Sequence, residues 1–182
     1  VIPTGFAKSA VPWLAIAAHH EPAGRVTLAA PTVALLDQHR RLSLRHLQVD
    51  EEEVVVYTGT TPPTKRPALW AQGRIVLATA TVVRNDVTNG AVDLSGLTLA
   101  ILDEAHHATG AHAYVQVSEL VRQHAPEATV LGATASPGTS ERVSREVQAN
   151  LGTVHWSIHE RSSTLLAPYA VDLSLATERL AM

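Results

Sequence analysis

Leu99-Ala100-Ile101-Leu102-Asp103-Glu104-Ala105-His106 runs four apolar residues straight into two adjacent carboxylates. The apolar part reads as a buried strand, from about Leu97 to Leu102. Carboxylates at the end of such a strand are costly to bury unless a cation or hydrogen-bond donors meet them. The plainer alternative is a solvated turn. What lies on either side decides between the two.

Short apolar runs alternate with amphipathic stretches along most of the chain. Val26-Thr27-Leu28-Ala29-Ala30, Val54-Val55-Val56-Tyr57, Ile75-Val76-Leu77-Ala78 and Thr129-Val130-Leu131-Gly132 read as further strands, and Val154 to Ile158 as one more. Between them, Val33 to about Leu47 puts Leu35, Leu36, His39, Leu42 and Leu47 at helical spacing. Pro63 to Gln72 reads as a helix that Gly73 ends, and Tyr114–His124 and Ser140–Leu151 as two more. Alternation of this kind predicts parallel strands joined by crossover helices, hence an open α/β sheet with helices on both faces. Ligands in such sheets bind outside the carboxyl ends of the strands, and each motif below follows a strand.

Upstream, Pro3-Thr4-Gly5-Phe6-Ala7-Lys8-Ser9 follows the strand remnant Val1-Ile2 and reads as the opening of a helix. A phosphate loop needs backbone N–H groups at a helix N-terminus, a lysine for the β- and γ-phosphates and a hydroxyl for Mg²⁺. Lys8 and Ser9 supply the last two. Ala7 stands where glycine would let a phosphate approach the backbone, and Pro12 removes an N–H early in the helix. Taken alone, the segment is equally a bland strand-to-helix turn. Set beside it, the acidic pair acquires roles: Asp103 suits a Mg²⁺ held through water, and Glu104 suits deprotonation of an attacking water.

Gly132-Ala133-Thr134-Ala135-Ser136-Pro137 ends the next strand, with Thr134 and Ser136 placed to hydrogen-bond the His106 region. Ala30-Pro31-Thr32, Thr58-Gly59 and Ala78-Thr79-Ala80-Thr81 also follow strands. Small hydroxyl residues at helix N-termini suit a nucleic-acid phosphate backbone, and ordinary N-capping remains the alternative at each. Arg40, Arg41, Lys65, Arg66 and Arg84 add charge or are solvated surface.

Composition narrows the classes. Apolar residues at 46% give a globular core, and a net charge of −3 leaves nucleic-acid contact to local groups. With no cysteine there is no disulfide or thiolate metal site. Aromatic residues at 4% argue against a base-stacking platform. No apolar run reaches the ~18 residues of a membrane span, so the expectation is a soluble, cytoplasmic protein without membrane contact.

In order and chemistry this motif set resembles the superfamily 2 DEAH-box helicases, and most closely the Hef and Fanconi-M branch, which neighbours the RIG-I-like receptors and Dicer. Further segments carry the likeness: Gln38-His39, Tyr57-Thr58-Gly59 with Lys65-Arg66 and Leu69-Trp70, Asn85-Asp86, Ala113-Tyr114-Val115, Asn150-Leu151-Gly152 and Pro168-Tyr169. The resemblance implies a P-loop NTPase fold, the first RecA-like domain over residues 1–159, and a linker over 160–182 toward a second such domain. It implies ATP and Mg²⁺ as cofactors and nucleic acid as partner, DNA before RNA. Thr4, Gly5, Ala7, Lys8 and Ser9 would hold the nucleotide, Ser9 and Asp103 the Mg²⁺, and Glu104 would act as base. His106, Thr134 and Ser136 would couple hydrolysis to movement, and Pro31, Thr32, Thr58, Gly59, Thr79 and Thr81 would line the nucleic-acid path. The chain departs from the family pattern at Ala7, at Ala80-Thr81 where Pro-Gln is usual, and in lacking the adenine-reading segment before Val1. Both ends therefore read as clipped, and the fragment is expected to bind ATP weakly and to hydrolyse it negligibly alone.

Three rivals stand against the motor reading. One is a degenerate nucleic-acid-binding module of the same fold, and another an RNA helicase of the RIG-I and Dicer branch. The third is a metal-dependent hydrolase using Asp103, Glu104, His106, His107 and His112.

Overall fold

The structure is a computed structural model that describes residues 10–18, 24–135, 140–153, 155 and 157. Strands β1 (Arg25–Ala29), β2 (Val54–Tyr57), β3 (Ile75–Ala78), β4 (Leu97–Asp103) and β5 (Thr129–Ala133) form one sheet in the order β2-β3-β1-β4-β5. Every neighbouring pair is parallel. Among the described residues, six α-helices accompany the strands: α1 (Ala10–Ala18), α2 (Val33–His46), α3 (Arg66–Gln72), α4 (Ala80–Thr88), α5 (Ala113–His124) and α6 (Glu141–Leu151).

The continuous apolar runs are explained by burial on both faces. In β3 all four residues are buried, Ile75 and Leu77 toward one side and Val76 and Ala78 toward the other. Leu99 and Ile101 likewise oppose Ala100 and Leu102 along β4. Ile16 of α1 and Leu36 of α2 pack on the first side. Trp70 of α3, Val83 of α4, Val117 of α5 and Val147 of α6 close the second. Each such side chain removed from water stabilises the fold by roughly 1.5–3 kcal/mol.

Two helices differ from their sequence expectation. The segment from Pro63 begins as a 3₁₀ turn over Pro63–Lys65 and becomes α3 only at Arg66. The cause is Pro67, which has no N–H to give the Pro63 carbonyl, so the Arg66 N–H takes it instead. Helix α4 has no counterpart in the sequence reading. Thr81, Val82, Val83, Val87 and Thr88 are β-branched and poor helix formers. Ala80, Val83 and Val87, at spacings of three and four, are nevertheless buried, so packing overrides propensity.

The phosphate-loop residues Thr4, Gly5, Ala7, Lys8 and Ser9, as well as Ser136 and residues 160–182, lie outside the described residues. So does most of the expected strand from Val154 to Ile158. No described helix is long and apolar enough to cross a membrane.

Candidate functional site

Because all five strands run the same way, their carboxyl ends share one edge. Along it follow Thr58 after β2, Thr79 after β3, Ala30 after β1, Glu104 after β4 and Thr134 after β5. The structure therefore brings the acidic pair, Thr134 and all six expected nucleic-acid residues to one edge.

Asp103 is the last residue of β4 and is 4% exposed. Its carboxylate is met by donors, as burial demands. His39 Nε2 of α2 donates to Oδ2 at 2.9 Å, and the Glu104 N–H donates to Oδ1 at 2.9 Å. The Asp103 carbonyl accepts from the Tyr114 hydroxyl of α5 at 2.6 Å, and the same hydroxyl reaches the Ala29 carbonyl at 3.3 Å. Tyr114 thus stitches the ends of β1 and β4 together. Burial, helped by the nearby Asp103 and Glu104 charges, pushes its phenol well above the ordinary range, which keeps it a donor.

Glu104 turns the chain sharply, with φ 54 and ψ 47 in the left-handed region. It is the one non-glycine residue at positive φ among those described. The Glu104 carbonyl then accepts the His107 N–H at 3.0 Å, closing a short 3₁₀ turn over Ala105–His107. That turn carries His106 across to β5, where its Nδ1 shares a hydrogen bond of 2.9 Å with Thr134 Oγ1. Glu104 Oε2 lies 3.3 Å from the same nitrogen. The acidic turn and β5 come this close because Gly132 has no side chain: a Cβ there would sit 3.0 Å from Ala105 Cβ and 2.6 Å from Leu151 Cδ1.

The histidines near this turn are arranged as a stack, not as a ligand set. His106 and His107 rings lie 4.2 Å apart and His107 and His112 rings 5.4 Å apart. His112 caps α5, its Nδ1 accepting the Tyr114 N–H. Burial and then His107 hold the His112 imidazole below its ordinary range. No group of three His, Cys, Asp or Glu among the described residues is placed to hold a metal ion, which removes the geometry the hydrolase reading needs.

Toward β2 the edge is built of small hydroxyl residues with different tasks. Thr32 caps α2 by accepting the Leu35 N–H at 3.3 Å. Thr58 is buried, with its hydroxyl 2.9 Å from that of Thr60. Thr79 opens α4 without a side-chain capping bond. Pro31, Thr32, Gly59 and Thr81 are exposed and Thr79 is half-buried. Arg66 is far from solvated surface. It is 9% exposed, pairs with Asp86 of α4 at 3.1 Å, and donates to the carbonyls of Thr61 at 2.9 Å and Gly59 at 3.4 Å. One guanidinium thereby holds the loop after β2 against α4. Arg40 pairs with Glu51, and Arg84 bonds Gln116 and Asn85.

Sequence reasoning passed over three of these residues as site components. His39 showed a signal, a polar group inside the stripe Leu35, Leu36, Leu42. Tyr114 and Asp86 stood only within segments that carry the family resemblance, and their tasks were hidden because their partners lie 11 and 20 positions away along the chain.

With this geometry in place, the comparisons are specific. The DEAD/DEAH box helicase profile matches residues 1–143. Over 181 residues the chain is 34% identical to a Methanocaldococcus jannaschii protein whose name makes it a candidate ATP-dependent RNA helicase, covering 99% of this chain and 23% of that one. It is 32% identical over 153 residues to the ATP-dependent DNA helicase mph1 of Neurospora crassa, covering 84% of this chain and 13% of that one. The crystal structure of the Pyrococcus furiosus Hef helicase domain is similar at TM-score 0.88 and 32% identity, over 94% of this chain and 37% of that one. The chain therefore spans less than a quarter of the two curated relatives. Its open parallel sheet is the RecA-like helicase fold, on the Hef side of superfamily 2 as its motifs implied. A profile match over most of the length and an Asp-Glu-Ala-His turn at the end of β4 agree, and the chain belongs to the DEAD/DEAH box helicase family.

Proposed function

We propose that this chain is the ATP-binding motor domain of an ATP-dependent DNA helicase or translocase acting on branched or duplex DNA. The observation that carries this reading is the turn from Asp103 to Thr134. A buried carboxylate, a second carboxylate on a left-handed backbone and a histidine hydrogen-bonded to the next strand sit together at the edge where such sheets bind ligands. The oxygen donors of Asp103 and Ser9 suit Mg²⁺, a hard cation that takes oxygen ligands. When bound, it would neutralise charge on the phosphates.

The remaining work belongs to the chain itself. Lys8, with Thr4, Gly5 and Ala7, would hold the phosphates. Glu104 orients and deprotonates water. His106, through Thr134 and Ser136, passes the state of the site to a second RecA-like domain, which would supply arginine fingers worth about 10³–10⁵ in rate. Pro31, Thr32, Gly59, Thr79 and Thr81 would meet a phosphate backbone, with Thr58 shaping its loop from within. The linker reading of residues 160–182 belongs to this same proposal.

In the protein that carries this chain, Glu104→Gln should lower DNA-stimulated ATP hydrolysis by at least about 10²-fold while ATP binding persists. Turnover that survives the substitution would reject Glu104 as base. A second reading, an RNA substrate, is favoured by the name of the Methanocaldococcus relative. Stimulation of the ATPase by forked DNA against duplex RNA of equal length separates the two.

A further inference from the structure

We propose that His39 is the positioning residue for Asp103, fixing the carboxylate's orientation toward the metal. The inference rests on the reading of Asp103 as a Mg²⁺-holding group. His39 is 2% exposed and sits on the buried face of α2 with Leu36 and Ser43. One turn away on either side of the same helix face lie Leu35, Leu36 and Leu42, and the Trp13 ring lies 6.0 Å from its own. Packing alone would be met better by a leucine, since a buried polar group costs free energy unless it is hydrogen-bonded.

The imidazole is explained by one contact. Nε2 lies 2.9 Å from Asp103 Oδ2, across 64 positions of sequence and in a buried setting. A carboxylate only accepts, so Nε2 carries the hydrogen and donates it. Nδ1 is buried with no hydrogen-bond partner among the described residues, so the ring's polar interaction is spent on Asp103.

The second donor makes the contact a clamp. Oδ1 takes the Glu104 N–H at 2.9 Å while Oδ2 takes His39. A donor on each oxygen, from two different elements, fixes the plane of the carboxylate. The Glu104 donor is local and moves with the turn. His39 arrives from α2, the helix whose cap Thr32 lies on the proposed nucleic-acid path, so it ties the carboxylate to a separate rigid element. Partners that orient metal-holding groups in this way change metal affinity or activity by about 10–100-fold when removed.

The test uses the protein that carries this chain and reads the binding of a fluorescent ATP analogue as Mg²⁺ is raised. His39→Leu should raise the Mg²⁺ concentration for half-maximal binding by about 10-fold, and kcat should fall with it. His39→Gln, whose amide nitrogen reaches about as far as Nε2, should restore both to within about threefold. His39→Asn, which stops short, should behave like leucine. Should the leucine variant fold poorly, the glutamine and asparagine pair still decides. Equal Mg²⁺ curves for glutamine and asparagine, or an unchanged Mg²⁺ curve with only a lower melting temperature, would reduce His39 to a packing residue and overturn the proposal. Wild-type protein lacking any Mg²⁺-dependent nucleotide binding would instead strike the motor reading itself, and the inference with it.

Discussion

At the scale of single residues, Glu104 holds the most unusual backbone conformation among the described residues. A non-glycine residue in the left-handed region carries roughly 1–2 kcal/mol of strain, and Glu104 is held there by its N–H to Asp103 Oδ1 and its carbonyl to His107. The strain has a use, because an extended backbone would carry the second carboxylate away from the strand end. Glu104→Gly should therefore melt higher than Glu104→Gln, by about 1 kcal/mol of stability, though neither should hydrolyse ATP. Equal thermal stability of the two would mean that the turn stores no strain. The sequence showed the carboxylate pair and the order of motifs around it, and those were enough to pick out Glu104. It did not show the left-handed turn, since glutamate gives no local sign of positive φ as a glycine would.

At the scale of elements, the strands were legible and the tethers between them were not. The continuous apolar run Ile75–Ala78 announced a strand buried on both faces. Helix α4 escaped notice because its β-branched residues favour strands locally, and only contact with the sheet makes it a helix. Arg66 looked like surface charge because nothing in the sequence reveals that Asp86 lies opposite. The pair is nevertheless what holds the Gly59 loop, through two carbonyls and a carboxylate, against the helix that Thr79 opens. Removing one member of a buried pair strands the other, at about 3–5 kcal/mol. Arg66→Ala should therefore cost stability of that order and weaken DNA binding. Arg66→Lys should recover only part of each, because an ammonium cannot reproduce the planar fork. DNA affinity and melting temperature of the two variants check this. Wild-type DNA affinity in a destabilised Arg66→Ala would detach the loop from nucleic-acid binding.

At the scale of the whole molecule, both large tyrosines of the second core face are sealed under the sheet. Tyr57 of β2 and Tyr114 of α5 are each essentially inaccessible to water. Burial raises both phenols above their ordinary value of 10.0, with Asp86 adding to the effect at Tyr57 and Asp103 and Glu104 at Tyr114. The folded chain thus holds both protons at pH values where the unfolded chain has released them. Proton linkage fixes the direction: this contribution is complete below about pH 10 and is lost as pH climbs past it, at about 1.4 kcal/mol per pH unit for each phenol. Stability measured by urea unfolding should be nearly flat at about pH 9 and fall with a steepness that approaches this slope by about pH 11. Tyr57→Phe and Tyr114→Phe should each flatten it by one phenol's share. They differ at neutral pH: the Tyr57 hydroxyl has no hydrogen-bond partner among the described residues, whereas that of Tyr114 bridges the Ala29 and Asp103 carbonyls. Tyr114→Phe should then cost about 1–3 kcal/mol below pH 9, and Tyr57→Phe should cost little there. An alkaline slope untouched by either substitution would mean that the second core face opens to water before the phenols ionise.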